Sequence, residues 1–465
     1  MPQTMHWSHL YSDVRPNDTE AKTPNTDTLR TSFMRDYDRI IFSSAFRRLQ
    51  NKTQVFPLPG PAFVHNRLTH SLEVASVGRT LGKAVGKAIA EKNEAETPAF
   101  KEFYTYELAS VISAACLAHD IGNPPFGHSG EDAIRHYFTS LDADTKKHLQ
   151  DSMTANQWAD FTHFEGNSNA FRILTHNFNE VSSPYNITQT TLAAIVKYPA
   201  TSEMGFDKTT GLISTKKSGF FDSEQETWKS IAKQLGLFPV DAAETIYVRH
   251  PFVFLTEAAD DICYRIIDME DAHRLGIVSY EQIIALFLPF FDNEEAYHTR
   301  DKVMHKLDQI IDPNQKIQYL RAVWIGRMIE LSKAAFLENE SLLLAGQLQQ
   351  SLLKVLPEQY QPLLQKIDDF SYAQIYNQKN VVEIEIAGFN VIGKLLDLFV
   401  SALLEPKNAK SDKVLQLISP QFPIDKDQGS LYRNLQSITD YISGMTDLFA
   451  IDLYRKITGI TIKEL

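Results

Sequence analysis

His119 and Asp120 stand side by side at the end of an apolar run, Leu108 to Ala118. A loop punctuated by Gly122, Pro124, Pro125 and Gly127 follows, and then His128 and Glu131, three residues apart. Burying an ionisable pair at the end of an apolar helix is costly unless something compensates the charge. A divalent cation can do so, because neutral imidazole and carboxylate oxygen are both good ligands for one. Neighbouring helical residues point about 100° apart, so both reach one ion only from a helix end, which the Gly/Pro loop supplies. A plain helix C-terminus, with His119 complementing the dipole and Asp120 capping the loop, accounts for the pair equally well.

Three further stretches put charge where a helix should be apolar. In His65-Asn66-Arg67-Leu68-Thr69-His70-Ser71-Leu72-Glu73, the residues Arg67, His70 and Glu73 recur every three positions on one helical face. A lone histidine there is also compatible with a hydrogen-bonded structural role. In Glu257 to Asp268, the residues Asp260, Tyr264 and Asp268 form one stripe at four-residue spacing. Ile262, Cys263, Ile266 and Ile267 surround that stripe, which favours paired or metal-bound acids over a solvated face. Lys197-Tyr198-Pro199 puts a cation beside an aromatic ring at a helix end. Together His70, His119, Asp120 and Asp260 supply two imidazoles and two carboxylates toward a shared interior. Such a set suits Mn2+, Fe2+, Co2+ or Mg2+ better than a closed structural zinc site, and a cation held there could clamp phosphate oxygens. His128 and Glu131 read as a proton-transfer pair beside it, the carboxylate orienting the imidazole.

The elements that must carry these residues are helical. Residues 1–32 are polar and read as an irregular arm. Met34 to Gln50 has apolar positions at helical spacing, and Asn51 to Val64 is a loop or short hairpin with Pro57, Pro59, Gly60 and Pro61. Asn66 opens a long helix with Leu68, Leu72, Val74, Ala75 and Leu81 on its apolar face. Helical patterns return at His128–Phe138, Phe164–Leu174, Thr190–Val196 and from Pro251 onward. Residues 201–222 alternate in short runs with several Gly and Lys and read as a small β-hairpin excursion. Beyond residue 277 the pattern is almost continuously helical, broken at Pro289, Pro313, Pro357, Pro406, Pro420 and Pro423. The fold class is mainly α.

Composition sets the frame. With 43% hydrophobic and 22% charged residues the chain has ample material for a globular core. A net charge of −12 argues against a protein whose main task is coating nucleic acid. No uninterrupted apolar run approaches the roughly 18 residues of a membrane span, and the first residues lack a signal-peptide pattern. Cys116 and Cys263 sit in apolar runs and read as buried thiols in a reducing compartment, hence a cytoplasmic protein.

With these residues in view, the chain resembles the HD-domain superfamily of metal-dependent phosphohydrolases, and more specifically the bacterial dGTPase family. The resemblance rests on Arg39 to Leu49, Lys52 to Phe56, His65 to Ser71, His119 to His128, Phe164 to Asn167 and Glu257 to Tyr264. It implies an HD-type catalytic core over 33–275, after an arm of 1–32, with a helical region over 276–465 packing on the core and making oligomer contacts. It implies that His70, His119, Asp120 and Asp260 ligate a divalent cation, Mg2+ or Mn2+ foremost, with Co2+, Fe2+, Ni2+ and Zn2+ also compatible. His128 and Glu131 match the catalytic pair. Arg67, Lys197 and Tyr198 match phosphate-side residues, Gln54 a residue near base and sugar, Tyr264 a residue against the deoxyribose and Asp268 an acceptor for the 3′-hydroxyl. The reaction implied is hydrolysis of a dNTP, dGTP in the lead, at the α-phosphorus to deoxynucleoside and tripolyphosphate. A homo-oligomer and weak, salt-sensitive single-stranded DNA binding also follow from the resemblance and the acidic balance. Asn123 and Phe164 occupy positions where eukaryotic relatives carry further histidines. Tyr376 and Lys379 are the C-terminal residues with a route to substrate or effector. The rival readings are an HD-type phosphodiesterase or nucleotidase, and a nucleotide-sensing protein without turnover.

Overall fold

The computed structural model of the 465-residue chain describes residues 3–16, 30–56, 64–177, 185–292, 298–405, 408–425 and 430–460. Among them the architecture is mainly helical, with isolated bridges (Thr53 to Asn66, Ala200 to Ile246, Pro239 to Tyr247) in place of a sheet.

Helix α1 spans Ser32–Ile41. The single helix expected over 34–50 is broken at Phe42, because Ser43 Oγ accepts from Phe46 N and starts a new short helix, Ser44–Arg48. Helix α2, Arg67–Lys92, begins where Asn66 predicts. The Asn66 side chain accepts from Thr69 N at 3.0 Å, while Thr69 Oγ1 accepts from Asn66 N at 3.1 Å. That reciprocal cap pins Arg67 and His70 in the first turn. Helix α3, Leu108–Ala118, packs along α2. Gly78, Gly82 and Gly86 let the two approach: a Cβ at Gly86 would lie 2.1 Å from the Tyr104 carbonyl. Of the apolar face expected on α2, Val74, Ala75 and Leu81 are buried, whereas Leu72 is exposed.

Helices α4 (His128–Thr139), α5 (Gly166–Thr175), α6 (Gln189–Ile195) and α7 (Val253–Arg274) complete the surround of α3 and the site. Cys116 and Cys263 are free and buried, as expected. Helix α8 is Pro313–Glu338, with Pro313 at its first turn, opening the helix instead of ending one. Helices α9 (Lys379–Leu404), α10 (Leu431–Ser443) and α11 (Asp447–Ile457) follow. The buried apolar residues form two clusters, one around α2, α3, α7 and α8, the other around α4, α9 and α10.

Several sequence expectations need correction or bounding. Residues 201–222 hold no hairpin strand. They form tight turns at Lys208–Thr210 and Ile213–Thr215, where Asp207 and Thr215 side chains satisfy the backbone locally. The N-terminal segment is irregular, but Met5, Trp7 and Leu10 are buried in the first cluster, and Trp7 Nε1 donates to Glu340 at 2.6 Å. Residues 17–29 and 57–63 and Pro406 lie outside the described residues. Finally, α9 is long and apolar enough to cross a membrane, with mean hydropathy 1.6 over its most apolar stretch. Half of that stretch is buried, against α4, α10 and α11.

Candidate active site

The end of α3, the first turn of α2 and the middle of α7 meet at one point. One ligand-capable atom from each of His70, His119 and Asp260 lies within 4.8 Å of the others. His119 Nδ1–H donates to the Cys116 carbonyl at 2.7 Å, which fixes the tautomer and turns the Nε2 lone pair inward. His119 Nε2 is then 3.5 Å from Asp260 Oδ1 and 3.6 Å from Asp120 Oδ1, and His70 Nε2 is 3.1 Å from Asp260 Oδ1. Asp120 stands beside the tight trio, its oxygens accepting from Arg67 at 2.7 Å and Asn123 Nδ2 at 2.5 Å. Burial pushes both carboxyls up, yet Lys197 and His119 hold Asp260 far below the usual range, and Arg67 and His119 do the same for Asp120. Two inward imidazoles and two ionised, largely buried carboxylates are a donor set that suits a divalent cation.

His128 is the first residue of α4, and Glu131 sits one turn on with 1% exposure. His128 Nδ1–H donates to Glu131 Oε2 at 3.1 Å, while Glu131 Oε1 accepts from Gly166 N at 2.8 Å. The imidazole is 77% exposed and Nε2 is left to the cleft. The Glu131 hydrogen bond and charge raise the His128 pKa above its ordinary value, with the positive charges of Lys217 and Arg67 opposing. Burial in turn raises Glu131, but His128, Lys217 and Arg135 outweigh it and hold the carboxyl ionised. The turn before His128 needs glycine: Gly127 has φ +60°, and a Cβ there would lie 2.4 Å from the Arg67 guanidinium.

Around these groups lies a cavity of about 510 Å³. Of the residues given a metal, catalytic or substrate role from the sequence, all line it except Glu131, which backs His128 from behind. One wall is cationic. Arg67 is there, with Lys197, whose Nζ donates to Asp260 at 3.0 Å, and Tyr198 beside it. The sequence reading overlooked Lys217, which lines the same cavity and donates to Glu165 Oε1 at 2.8 Å, an oxygen that also accepts from Asn167 Nδ2 at 2.8 Å. Burial lowers Lys217, but Glu165 and Glu131 raise it overall. Less charged groups line the cavity as well. Gln54 Oε1 is buried without a hydrogen-bond partner, and Tyr264 and Asp268 are also lining residues. Burial pushes Asp268 up to about 7, while Tyr376 donates to its Oδ2 at 2.8 Å. Tyr376 thus reaches the pocket, whereas Lys379 points to solvent and pairs with Glu383 at 3.7 Å.

A helical fold with this His, His-Asp and Asp arrangement defines an HD-domain protein. Residues 67–198 match the HD domain family, and residues 355–456 match the phosphohydrolase-associated domain. Relatives extend over nearly the whole chain. A deoxyguanosinetriphosphate triphosphohydrolase-like protein of Synechocystis sp. is 38% identical, covering 98% of this chain and 100% of that protein. A like-named protein of Listeria monocytogenes is 33% identical over 98% and 100% of the two chains. The deoxyguanosinetriphosphate triphosphohydrolase of Yersinia enterocolitica is 30% identical over 91% and 93%. The chain belongs to the deoxyguanosinetriphosphate triphosphohydrolase-like family of HD-domain hydrolases.

Proposed function

We propose that this chain is a divalent-metal-dependent dNTP triphosphohydrolase, dGTP foremost, that cleaves at the α-phosphorus to release deoxynucleoside and tripolyphosphate. The single observation that carries the reading is one cavity that is lined together by Arg67, Lys197 and Lys217, by Gln54, Tyr264 and Asp268, and by the converging His70, His119 and Asp260. His70, His119, Asp120 and Asp260 would hold the cation. When bound, it supplies Lewis-acid polarisation of phosphoryl oxygens and acidifies water. Arg67, Lys197 and Lys217 neutralise the triphosphate, and Tyr198 bounds it. Tyr264 packs on the deoxyribose, Asp268 accepts the 3′-hydroxyl, and Gln54 offers its free oxygen to a sugar or base donor.

The His128–Glu131 pair acts at the leaving group. The raised pKa favours the protonated form of His128, which gives the Nε2 proton to the departing 5′-oxygen as water attacks phosphorus and the bond to that oxygen breaks. Glu131 keeps the charge that favours that proton. Residues 33–275 carry the chemistry in this reading, and 276–465 pack on them and support a homo-oligomer. We further propose a cytoplasmic setting and, at low salt, weak single-stranded DNA binding. A dNTP panel with added Mn2+ or Mg2+, read by phosphorus NMR, tests the reaction. Tripolyphosphate is expected; orthophosphate or pyrophosphate as the first product would replace the proposal with a different phosphohydrolase activity.

A further inference from the structure

The turn between α10 and α11 lies more than three hundred positions beyond the catalytic loop in sequence, yet it holds that loop from behind. Asp447, the first residue of α11, is 3% exposed and takes two backbone N–H groups at once. Its Oδ2 accepts from Thr53 N at 2.8 Å and its Oδ1 from Phe126 N at 2.9 Å. Thr53 precedes Gln54, and Phe126 lies two residues before His128. The carboxylate therefore ties the nucleoside side of the cavity to the proton-transfer side. Helix α11 does not consume it, because Thr446 Oγ1 already caps the helix by accepting from Phe449 N.

The same turn makes further contacts in one direction. The Ser443 carbonyl accepts from Lys52 Nζ at 2.9 Å, Lys52 also donates to the Asn123 carbonyl, and Asn123 holds Asp120. Asn169 bridges the Gly122 carbonyl and Ser443 Oγ. The helix that leads into this turn is anchored: Arg172, on α5, grips Asp440 of α10 through two nitrogens at 2.8 to 3.1 Å. What the turn restrains is a costly conformation. Phe126 has φ +63°, a region that bulky side chains avoid, and its ring is buried against Gly388 of α9. Each amide meets a different oxygen, so the carboxylate satisfies both without presenting a donor to either.

We propose that Asp447 is a positioning residue for turnover: its carboxylate sets the Phe126–Gly127 turn, and so aims His128, while fixing the loop that bears Gln54. The inference deepens the hydrolase reading and depends on it for the kinetic readout alone. In Asp447→Asn, the amide nitrogen opposes one of the two N–H donors, and one loop is released. A shift of about 1 Å at reacting groups costs on the order of a hundredfold, so kcat on dGTP is expected to fall about tenfold to a hundredfold, with Mn2+ affinity by calorimetry held within about threefold. Asp447→Glu, which keeps both oxygens on a longer arm, is expected to fall between Asp447→Asn and wild type. Thr446→Ala loosens the same helix end without touching either loop and is expected to keep the wild-type kcat.

Hydrogen exchange of the Thr53 and Phe126 amides, read by mass spectrometry of the full chain, gives a measure that needs no substrate. Faster exchange at one or both of these amides in Asp447→Asn supports the proposal. Unchanged exchange, a folded Asp447→Asn variant with wild-type kcat, or an equal kcat loss in Thr446→Ala overturns it. Should Asp447→Asn not fold, Asp447→Glu carries the test: lowered kcat with raised exchange supports the proposal, and wild-type kcat with raised exchange overturns it. If the wild-type protein turns over no dNTP but exchange in Asp447→Asn still rises at either amide, the hydrolase reading fails and the positioning role stands.

Discussion

Replacing Glu131 by Gln probes the proton-transfer pair with the least change in volume. The carboxylate is 3.1 Å from His128 Nδ1, a spacing at which full charges attract by about 5 kcal/mol at an effective dielectric near 20. The imidazole is 77% exposed, so solvent screens most of that. The low end of a charge-assisted hydrogen bond, about 1.4 kcal/mol, is the appropriate figure, and it equals about one pKa unit. His128 acts in its protonated form, and its pKa in the folded protein is raised. Activity is therefore present below that pKa and lost as pH rises through it. In Glu131→Gln the pKa falls, and the basic limb of the kcat/KM profile should move about one unit toward acid. Above both limbs the loss should be about tenfold; well below them it should shrink toward wild type. With one donor at each carboxylate oxygen, the amide NH2 of Glu131→Gln also opposes either His128 Nδ1–H or Gly166 N–H, and this adds a pH-independent loss that sets the floor reached at low pH. The assay is steady-state hydrolysis of dGTP across pH with saturating Mn2+. A basic limb that does not move would refute the role given to the pair.

His128→Ala should lower kcat by about a hundredfold to ten-thousandfold while dGTP and Mn2+ still bind in calorimetry, and equal loss of binding would contradict a role confined to proton transfer. Lys217→Ala should lower kcat/KM about tenfold to a hundredfold, the worth of a charge-assisted contact to phosphate. A change smaller than about twofold would mean that Lys217 serves Glu165 and not the substrate.

Much of this site was readable because its residues end or begin regular elements. The apolar run of α3 announces His119 and Asp120 by stopping, and the Asn66 cap fixes the register that brings Arg67 and His70 to the same face. The four-residue stripe on α7 survived intact, so Asp260, Tyr264 and Asp268 all reached the cavity. Lys217 was missed for the converse reason. It lies in 201–222, where hydrogen bonds from short polar side chains, not hydrophobic periodicity, set the path, and alternation there mimicked a strand. Phe42 shows the same limit on a smaller scale, since Ser43 capping interrupts a run whose apolar spacing reads through the break. Asp447 carries no local signal at all. An acid in a helix first turn is what dipole and solvent alone would favour, and only the tertiary fold reveals that both oxygens face loops hundreds of positions away.

The most direct measurement is to run dGTP hydrolysis in water labelled with heavy oxygen and locate the label by mass spectrometry and phosphorus NMR. Attack at the α-phosphorus predicts one labelled oxygen at the end of tripolyphosphate and none in deoxyguanosine. Label in the deoxynucleoside, in orthophosphate or in pyrophosphate as the first product would contradict a cation, a cationic wall and His128 all acting on that one phosphorus.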